Sequence, residues 1–381
     1  MSDFQASRSP PDSGTTQLLQ APPEPRQTAP AFVPVHVLVR LAGSMPGARI
    51  RLRSDPQTIG RMPECDVVLP EASVSRAHCQ VRAIGGHAEV TDLGSTNGTF
   101  VDEQRIRGAA VLSNGALLRV GEHLFRCECR DERELERQAQ AEEELVKAGR
   151  YVQALLPAPL IGGPVRTDWA FEPSARLGGD AFGHHALPGG ALALYLVDVS
   201  GHGTDSALHA VAVINVLRHG ALPGADCARP DQVLAGLNAM FPMQDHGGLY
   251  FSIWYGVYQP HDRLLRYASA GHPPAYLLAP AAEPLPLRTP NAAIGMAPGR
   301  AFQSAECWVT PRARLYIFSD GAFEIALPDG VQWQLRDFVH LLRQPTRPGL
   351  SEPQRLRRAV TEATGRDRLE DDFSLLVATF A

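Results

Sequence analysis

The sequence lacks any apolar run long enough to span a bilayer, and its N-terminus lacks the charged-then-apolar pattern of a secretory signal. These absences favour a cytoplasmic protein without a membrane partner. Paired cysteines are also missing, since the six cysteines are dispersed without any C-x-x-C spacing. A disulfide framework or a zinc knuckle is therefore not expected, and most cysteines are expected to be small buried apolar residues.

Clusters of basic residues are scarce as well. Lysine occurs once, at Lys147, and the arginines are scattered along the chain. The balance of 36 basic against 41 acidic residues gives a net charge of −5 at pH 7. A nucleic-acid binder usually carries a concentrated basic patch, so nucleic acid is not an expected partner.

A chain of 381 residues is too long for one ordinary core, so two or more domains are expected. Residues 1–34 are rich in Pro, Ser, Gln and Thr and are predicted to be a disordered tail. Residues 35–129 hold short alternating runs separated by turn residues, which is typical of an all-β sandwich. Residues 157–381 alternate apolar strands with helices, which suggests a mostly antiparallel α/β/β/α sandwich of the α+β class. The predicted helices of this last region are 204–219, about 230–240, 335–342 and 353–364.

Residues 130–156 are predicted to form a linker helix, because helix formers run through the segment and apolar residues recur near helical spacing. The apolar seam is thin in the first half, where Gln138, Ala139 and Glu142 stand in place of large apolar residues. Two interpretations stay open. The helix is a solvated spacer, or it is a signalling helix that forms a homodimer, with Gly149 as its soft point.

Three polar segments occur in order in the β-rich region: TIGR from Thr58, then SVSRAHCQV, then DLGSTNGTFVD. Together they resemble the forkhead-associated (FHA) domain, which binds phosphothreonine. The resemblance implies that five residues bind the phosphopeptide: Arg61, Ser75, Arg76, Thr96 and Asn97. It also implies that Gly60 and His78 are structural residues. Guanidinium and hydroxyl groups suit a phosphate dianion. The alternative is that these polar residues only close turns and that Arg61 is a surface charge.

Three carboxylates stand at the ends of apolar runs in the C-terminal region. Asp198 follows LYLV, Asp320 follows LYIFS, and Asp371 precedes FSLLVATF. Strand ends are rigid supports for acids that bind a metal, although a lone Asp-Gly after a strand is more often a turn. The three acids together indicate a metal-dependent phosphoester site.

These segments, with LGGDAF, LYFSIWYGV, SAGHPPAYLL and AIGM, resemble the PPM family of metal-dependent protein phosphatases over residues 155–381. The closest branch in pattern is the bacterial SpoIIE/RsbU-like one. The resemblance implies two Mg²⁺ or Mn²⁺ ions that activate water for attack on phosphorus. The implied oxygen ligands are Asp180, Asp198, the Val199 carbonyl, Asp320 and Asp371, with Asp198 bridging the ions.

Other residues of this region receive weaker assignments. His202 is the candidate catalytic acid, although a histidine between two glycines is also an ordinary turn residue. His272 is expected to be structural, and Asp372 is expected to support the ligands or to replace one. Gly183 stands where the branch usually has a second acid. Arg176 is nominated as a contact to the substrate phosphate.

The parts together predict a regulated protein serine/threonine phosphatase. Its expected partners are a phosphorylated protein substrate, of the anti-sigma-factor antagonist kind usual for the family, and a phosphothreonine-containing protein at the FHA domain. A Ser/Thr kinase is the expected opponent, and Thr15, Thr16 or Thr28 of the tail could supply the phosphothreonine. Two alternatives stay open: a catalytically silent FHA adaptor that uses the phosphatase-like domain as a scaffold, and a small-molecule phosphomonoesterase.

Overall fold

The computed structural model describes residues 32–43, 45–328, 330–365 and 369–381. The chain divides into two compact units between Gln138 and Ala139, and helix α1 (Glu132–Ala154) runs across that division. Residues 1–31 of the predicted disordered tail lie outside the described residues, and the first strand begins at Pro34. Helix α1 has no buried residue among its described positions, which fits its thin apolar seam.

The first unit is an all-β sandwich, as predicted. Its strands are β1 (Pro34–Ala42), β2 (Arg49–Arg51), β3 (Gln57–Gly60), β4 (Val67–Val68), β5 (Cys79–Ile84), β6 (His87–Asp92), β7 (Thr99–Val101), β8 (Gln104–Arg105), β9 (Ala109–Leu112), β10 (Leu117–Val120) and β11 (His123–Asp131). One sheet has the strand order β2-β1-β11-β10-β7-β8, and the other has the order β4-β3-β5-β6-β9.

The core of this sandwich follows from the two-residue period of its strands. In β5, Cys79 and Val81 are fully buried while Gln80 and Arg82 are half-exposed. The inward faces of both sheets meet in one apolar cluster that includes Leu38 and Phe125 from one sheet and Val81 and Val90 from the other. The five predicted phosphopeptide-binding residues lie in the loops that connect the strands of this sandwich.

The second unit contains ten described strands and four described helices beyond α1. The strands are β12 (Val165–Glu172), β13 (Asp180–Ala186), β14 (Leu192–Val199), β15 (Phe251–Gln259), β16 (Leu264–Ala270), β17 (Ala275–Leu278), β18 (Leu285–Leu287), β19 (Ala305–Trp308), β20 (Arg314–Phe318) and β21 (Phe373–Phe380). The helices are α2 (Thr204–His219), α3 (Pro230–Met240), α4 (Leu335–Leu342) and α5 (Glu352–Thr364).

Two antiparallel sheets lie face to face in this unit, with strand orders β13-β14-β15-β16-β19 and β12-β21-β20-β17-β18. Phe182, Leu196 and Trp254 of the first sheet pack against Ile317 and Leu376 of the second. Because both faces of each sheet are covered, the central strands β14, β15 and β21 are buried nearly throughout.

The helices form the two outer layers. Val213 and Val233 attach α2 and α3 to the first sheet. Phe338 and Leu356 attach α4 and α5 to the second sheet. The result is the predicted α/β/β/α sandwich. No helix within the described ranges has the length and apolarity that crossing a membrane requires.

Candidate active site and candidate phosphopeptide site

Two of the acids lie opposite each other on neighbouring strands. Asp180 begins β13 and pairs in register with Asp198 near the end of β14. The residues before Asp180 must be glycines, since a Cβ at Gly178 would lie 2.3 Å from the Asp372 carboxylate and one at Gly179 would lie 2.8 Å from the Val199 carbonyl oxygen. The GGD sequence therefore allows the backbone to approach both groups closely.

The other two acids meet at the ends of the paired strands β20 and β21. Asp320 opens a short 3₁₀ helix (Asp320–Ala322) directly after β20, and Asp371 precedes β21. The Ser319 hydroxyl donates to the Asp372 carbonyl oxygen at 3.0 Å and so joins the two segments. A Cβ at Gly321 would lie 2.2 Å from that same oxygen, which explains the glycine after Asp320.

These segments surround a cavity of about 470 Å³. Asp198, Asp320, Glu324 and Asp371 line it, together with Val199. Asp180 does not line the cavity but is buried behind it, next to Asp198. The structure thus brings together the five predicted ligand residues, four of them as acids from four different strand ends.

The acids strongly perturb one another. Burial, with the charges of Asp320 and Asp371, raises the pKa of Asp198 to about 7. Burial and the charge of Asp371 raise the pKa of Asp320 to about 6. Burial and the charge of Asp198 also raise the pKa of Asp180. Such a cluster favours either protons or cations at its centre.

Asp372 is not among the described residues that line the cavity. One carboxylate oxygen accepts hydrogen bonds from the Ser174 amide at 2.7 Å and the Ser174 hydroxyl at 2.9 Å. The other accepts from the Gly179 amide at 2.7 Å and from the Asp180 amide at 3.4 Å. Asp372 therefore holds the loop before β13 and is not placed as a substitute ligand.

The two histidines of the predicted motifs have different surroundings. His202 is exposed in a turn between Gly201 and Gly203, both with positive φ, and it is not among the described residues that line the cavity. His272 lines the cavity, is buried, and places Nδ1 2.8 Å from the Pro273 carbonyl oxygen. Burial lowers the pKa of His272 to about 4, so it is neutral at pH 7.

The nomination of Arg176 is not supported. Its guanidinium forms an ion pair with Glu142 of α1, and it lines a separate cavity of about 260 Å³ beside that helix. The acid-lined cavity contains instead Arg288, which the sequence analysis missed. It also contains Ser252, whose hydroxyl lies 3.5 Å from an Asp198 carboxylate oxygen. The strand register would have identified Ser252 as a site residue, because Ser252 of β15 pairs directly with Asp198 of β14.

The five predicted FHA residues all line one cavity of about 500 Å³ in the first unit; they are Arg61, Ser75, Arg76, Thr96 and Asn97. Within the described part of the chain, no acid lines this cavity. Its lining therefore holds two cations and three hydroxyl side chains that suit an anion.

Hydrogen bonds between neighbouring loops fix the residues that line this cavity. The Thr96 amide donates to the Ser75 hydroxyl at 3.0 Å, and the Asn97 side chain donates to the Ser73 carbonyl oxygen at 2.8 Å. Buried His78 accepts from the Ser75 amide at 3.1 Å and contacts the Gly98 carbonyl oxygen at 3.2 Å. A Cβ at Gly60 would lie 2.3 Å from the Arg76 carbonyl oxygen, so only glycine fits there.

Comparison with known proteins confirms both family resemblances. The family model of stage II sporulation protein E (SpoIIE) matches residues 188–381, slightly more than half of the chain, and the FHA domain model matches residues 57–121. The phosphoserine phosphatase RsbP of Bacillus subtilis is 25% identical over 182 residues, which are 48% of this chain and 45% of that protein. The oxoglutarate dehydrogenase inhibitor of Corynebacterium diphtheriae is 41% identical over 85 residues, which are 22% of this chain and 59% of that protein.

The chain therefore spans less than two thirds of the length of each of these curated relatives. Among solved structures, the SiaA-PP2C domain of Pseudomonas aeruginosa is similar with a TM-score of 0.56 at 20% identity, over 64% of this chain and 98% of that domain. That likeness concerns the fold alone. With the match of its family model over residues 188–381, the chain belongs to the SpoIIE family, whose PPM-type phosphatase domain here follows an FHA domain.

Proposed function

We propose that the protein is a regulated, metal-dependent serine/threonine protein phosphatase. The observation that carries the proposal is the group of carboxylates from separate strand ends around one cavity, next to buried Asp180. Asp180 is buried and Asp198 and Asp320 are half-buried, and partly desolvated acids that raise one another's pKa are costly without cations. The family membership of this domain agrees with that activity.

The acids fit divalent cations. Asp180 Oδ2 is buried and has no hydrogen-bond partner in the described part of the chain, so it has a lone pair available. All the proposed ligands are oxygens, which suit Mg²⁺ or Mn²⁺ better than zinc. We assign two ions to five ligands: Asp180, Asp198, the Val199 carbonyl, Asp320 and Asp371. Such ions lower the pKa of water and neutralise charge on a phosphoryl group.

The protein's own groups then orient the substrate and move a proton. His202, in its exposed glycine-flanked turn, is proposed to donate a proton to the departing serine or threonine oxygen. Pro273, Phe323 and Leu335 give the cavity an apolar wall, which suits the residues next to a phosphorylated side chain. Neutral His272 supports the loop through its contact with the Pro273 carbonyl oxygen.

The FHA cavity is proposed to bind phosphothreonine on a protein partner. Arg61 and Ser75 would contact the phosphate, Arg76 and Thr96 would assist, and Asn97 would hold the ligand backbone. The partner either carries the substrate to the phosphatase domain or acts through α1. Thr15, Thr16 and Thr28, which could serve as an internal ligand, lie outside the described residues.

The wider setting is also a proposal. A cytoplasmic protein opposed by a Ser/Thr kinase, with a small antagonist-like phosphoprotein as substrate, fits the combination of domains. Homodimerisation through α1 remains part of this proposal. The adaptor alternative leaves the clustered acids Asp180, Asp198, Asp320 and Asp371 without a role, and the phosphomonoesterase alternative leaves the FHA domain without one.

Phosphate release from phosphoserine peptides and from small phosphorylated metabolites, each with Mn²⁺, separates these alternatives. We expect the full chain to hydrolyse the peptides and the Asp198→Asn variant to lose that activity. The control variant Asp262→Asn, which changes an exposed acid in a turn, should keep it. Efficient turnover of metabolites alone would favour the phosphomonoesterase, and no turnover by either route would favour the adaptor.

A further inference from the structure

Arg288 is the one arginine or lysine among the described residues that line the acid-lined cavity. The other charged groups in that lining are the four acids Asp198, Asp320, Glu324 and Asp371. A lone cation in such a cavity could be there to pair with an acid or to meet an incoming anion. Its contacts decide between the two.

The backbone around Arg288 is fixed on both sides. Leu287 is 1% exposed, and its carbonyl oxygen accepts a hydrogen bond from the Trp254 indole at 3.0 Å. Thr289 is 5% exposed, and its amide donates to the Ser269 hydroxyl at 2.8 Å while its own hydroxyl accepts from the Ser269 amide at 2.8 Å. The position of Arg288 at the cavity is therefore set by buried contacts of its neighbours.

The Arg288 side chain, in contrast, is exposed and has no ion pair or hydrogen bond with any described residue. Other arginines of this unit are paired, such as Arg176 with Glu142 and Arg343 with Glu283. The acids of the cavity lie in the same lining without pairing to Arg288. All its N–H donors are therefore free for a ligand.

We propose that Arg288 binds the phosphoryl oxygens of the phosphorylated substrate and holds the phosphate at the acid-lined cavity. This inference rests on the proposed phosphatase function. A guanidinium forms two parallel charge-assisted hydrogen bonds to a phosphate, whereas a lysine ammonium would act only as a point charge. The fixed backbone limits the entropy lost when the phosphate binds, and the unpaired side chain has no existing ion pair to break.

The test measures Mn²⁺-dependent hydrolysis of a phosphoserine peptide by the full chain and by Arg288→Ala, Arg288→Lys and Arg300→Ala. Arg300 is an exposed arginine of a nearby loop that does not line the cavity, so it is the matched control. We expect kcat/KM of Arg288→Ala to fall about tenfold to a hundredfold, mainly through KM, in keeping with the loss of hydrogen bonds to a charged group. Arg288→Lys recovers part of the loss, and inhibition by inorganic phosphate weakens in parallel.

Two results would overturn the proposal. If Arg288→Ala and Arg300→Ala share the KM and the phosphate inhibition of the unsubstituted chain, Arg288 does not contact the substrate. If Arg288→Ala changes only the Mn²⁺ requirement, its role is structural. Absence of hydrolysis by the unsubstituted chain would instead overturn the phosphatase function, and this inference with it.

Discussion

Asp371 and Asp372 are adjacent acids with different surroundings. Asp371 lines the acid-lined cavity, whereas both carboxylate oxygens of Asp372 accept hydrogen bonds from the loop that leads to Asp180. One acid can therefore serve a cation directly while the other fixes the position of a second ligand. Groups that orient metal ligands commonly change metal affinity by about tenfold to a hundredfold when they are replaced.

We accordingly expect Asp372→Asn to raise the Mn²⁺ concentration needed for half-maximal phosphatase activity by about tenfold to a hundredfold. The amide offers one acceptor oxygen in place of two, so either the Ser174 or the Gly179 donors lose their partner. A Mn²⁺ titration of activity measures the effect, with Asp262→Asn as the control. An unchanged titration curve would show that Asp372 does not support the site.

The stability of the metal-free protein should depend on pH through the same acids. The pKa of Asp198 is raised from 3.8 to about 7, so the folded protein retains a proton that the unfolded chain releases at lower pH. The stabilisation from that proton is complete below the unfolded pKa and is lost as the pH rises through the folded pKa. Asp320, with its pKa raised to about 6, acts in the same direction.

We therefore expect the Tm of the EDTA-treated chain to fall between about pH 5 and about pH 8, and to fall less in Asp198→Asn. Added Mn²⁺ should restore Tm most at the upper end of that range, because a cation that binds only the folded state stabilises it. Thermal unfolding followed by circular dichroism gives the measurement. A Tm that stays level or rises over that range would contradict the assigned burial of these acids.

The sequence allowed Asp198, Asp320 and Asp371 to be predicted because each follows or precedes a recognisable strand, whereas Asp180 was assigned through the family resemblance. Arg288 could not be predicted in this way. It reaches the cavity through the pairing of β17 with β18 and through the hydrogen bonds between Ser269 and Thr289, which are contacts between distant segments. No short pattern of residues around Arg288 reveals them.

At the scale of single elements, local sequence signals were sufficient to predict the ends of a helix where glycines flank it. Helix α2 was predicted at residues 204–219 and is found there, between Gly203 with φ 94° and Gly220 in the left-handed region. Helix α5 begins at Glu352, one residue before the predicted start, because Ser351 and Gln354 form a capping box that places the first turn earlier. The two-residue strands β4 and β8 have no such signal and were not predicted.

For Gly149 of α1, the interpretation of the helix from its sequence was incomplete. The sequence suggested a soft point in the helix, but the structure gives the glycine a packing reason. A Cβ at this position would lie 2.4 Å from the Arg176 carbonyl oxygen of the same unit. The helix backbone thus approaches the segment that leads to Gly178 as closely as glycine allows.

Gly149→Ala tests this contact through the sign of its effect. Helix propensity alone favours alanine by about 1 kcal/mol, whereas the contact predicts destabilisation because the helix must shift. We expect a lower Tm for Gly149→Ala and faster amide exchange in the second half of α1. Glu144→Ala, at an exposed position of the same helix, should leave both unchanged. A higher Tm for Gly149→Ala would show that the close approach has no energetic role.

At the scale of the whole molecule, the FHA cavity and the acid-lined cavity are connected in sequence through one helix. Binding at the first can change turnover at the second only if the ligand has different affinities for active and inactive states. We expect a saturating phosphothreonine peptide to raise turnover of a phosphoprotein substrate by the full chain. Arg61→Ala should abolish the response, and Arg107→Ala, an exposed arginine outside the FHA cavity, should retain it. Equal turnover with and without the peptide would leave the FHA domain as a recruiting module only.

The central claim is that Asp198 and its neighbouring acids hold divalent cations that hydrolyse a phosphate ester. The most direct test is hydrolysis of p-nitrophenyl phosphate by the full chain with Mn²⁺, with EDTA, and in Asp198→Asn. The account predicts hydrolysis that requires both the metal and Asp198. Hydrolysis that persists in EDTA or in Asp198→Asn, or none at all from well-folded protein with Mn²⁺, would contradict it.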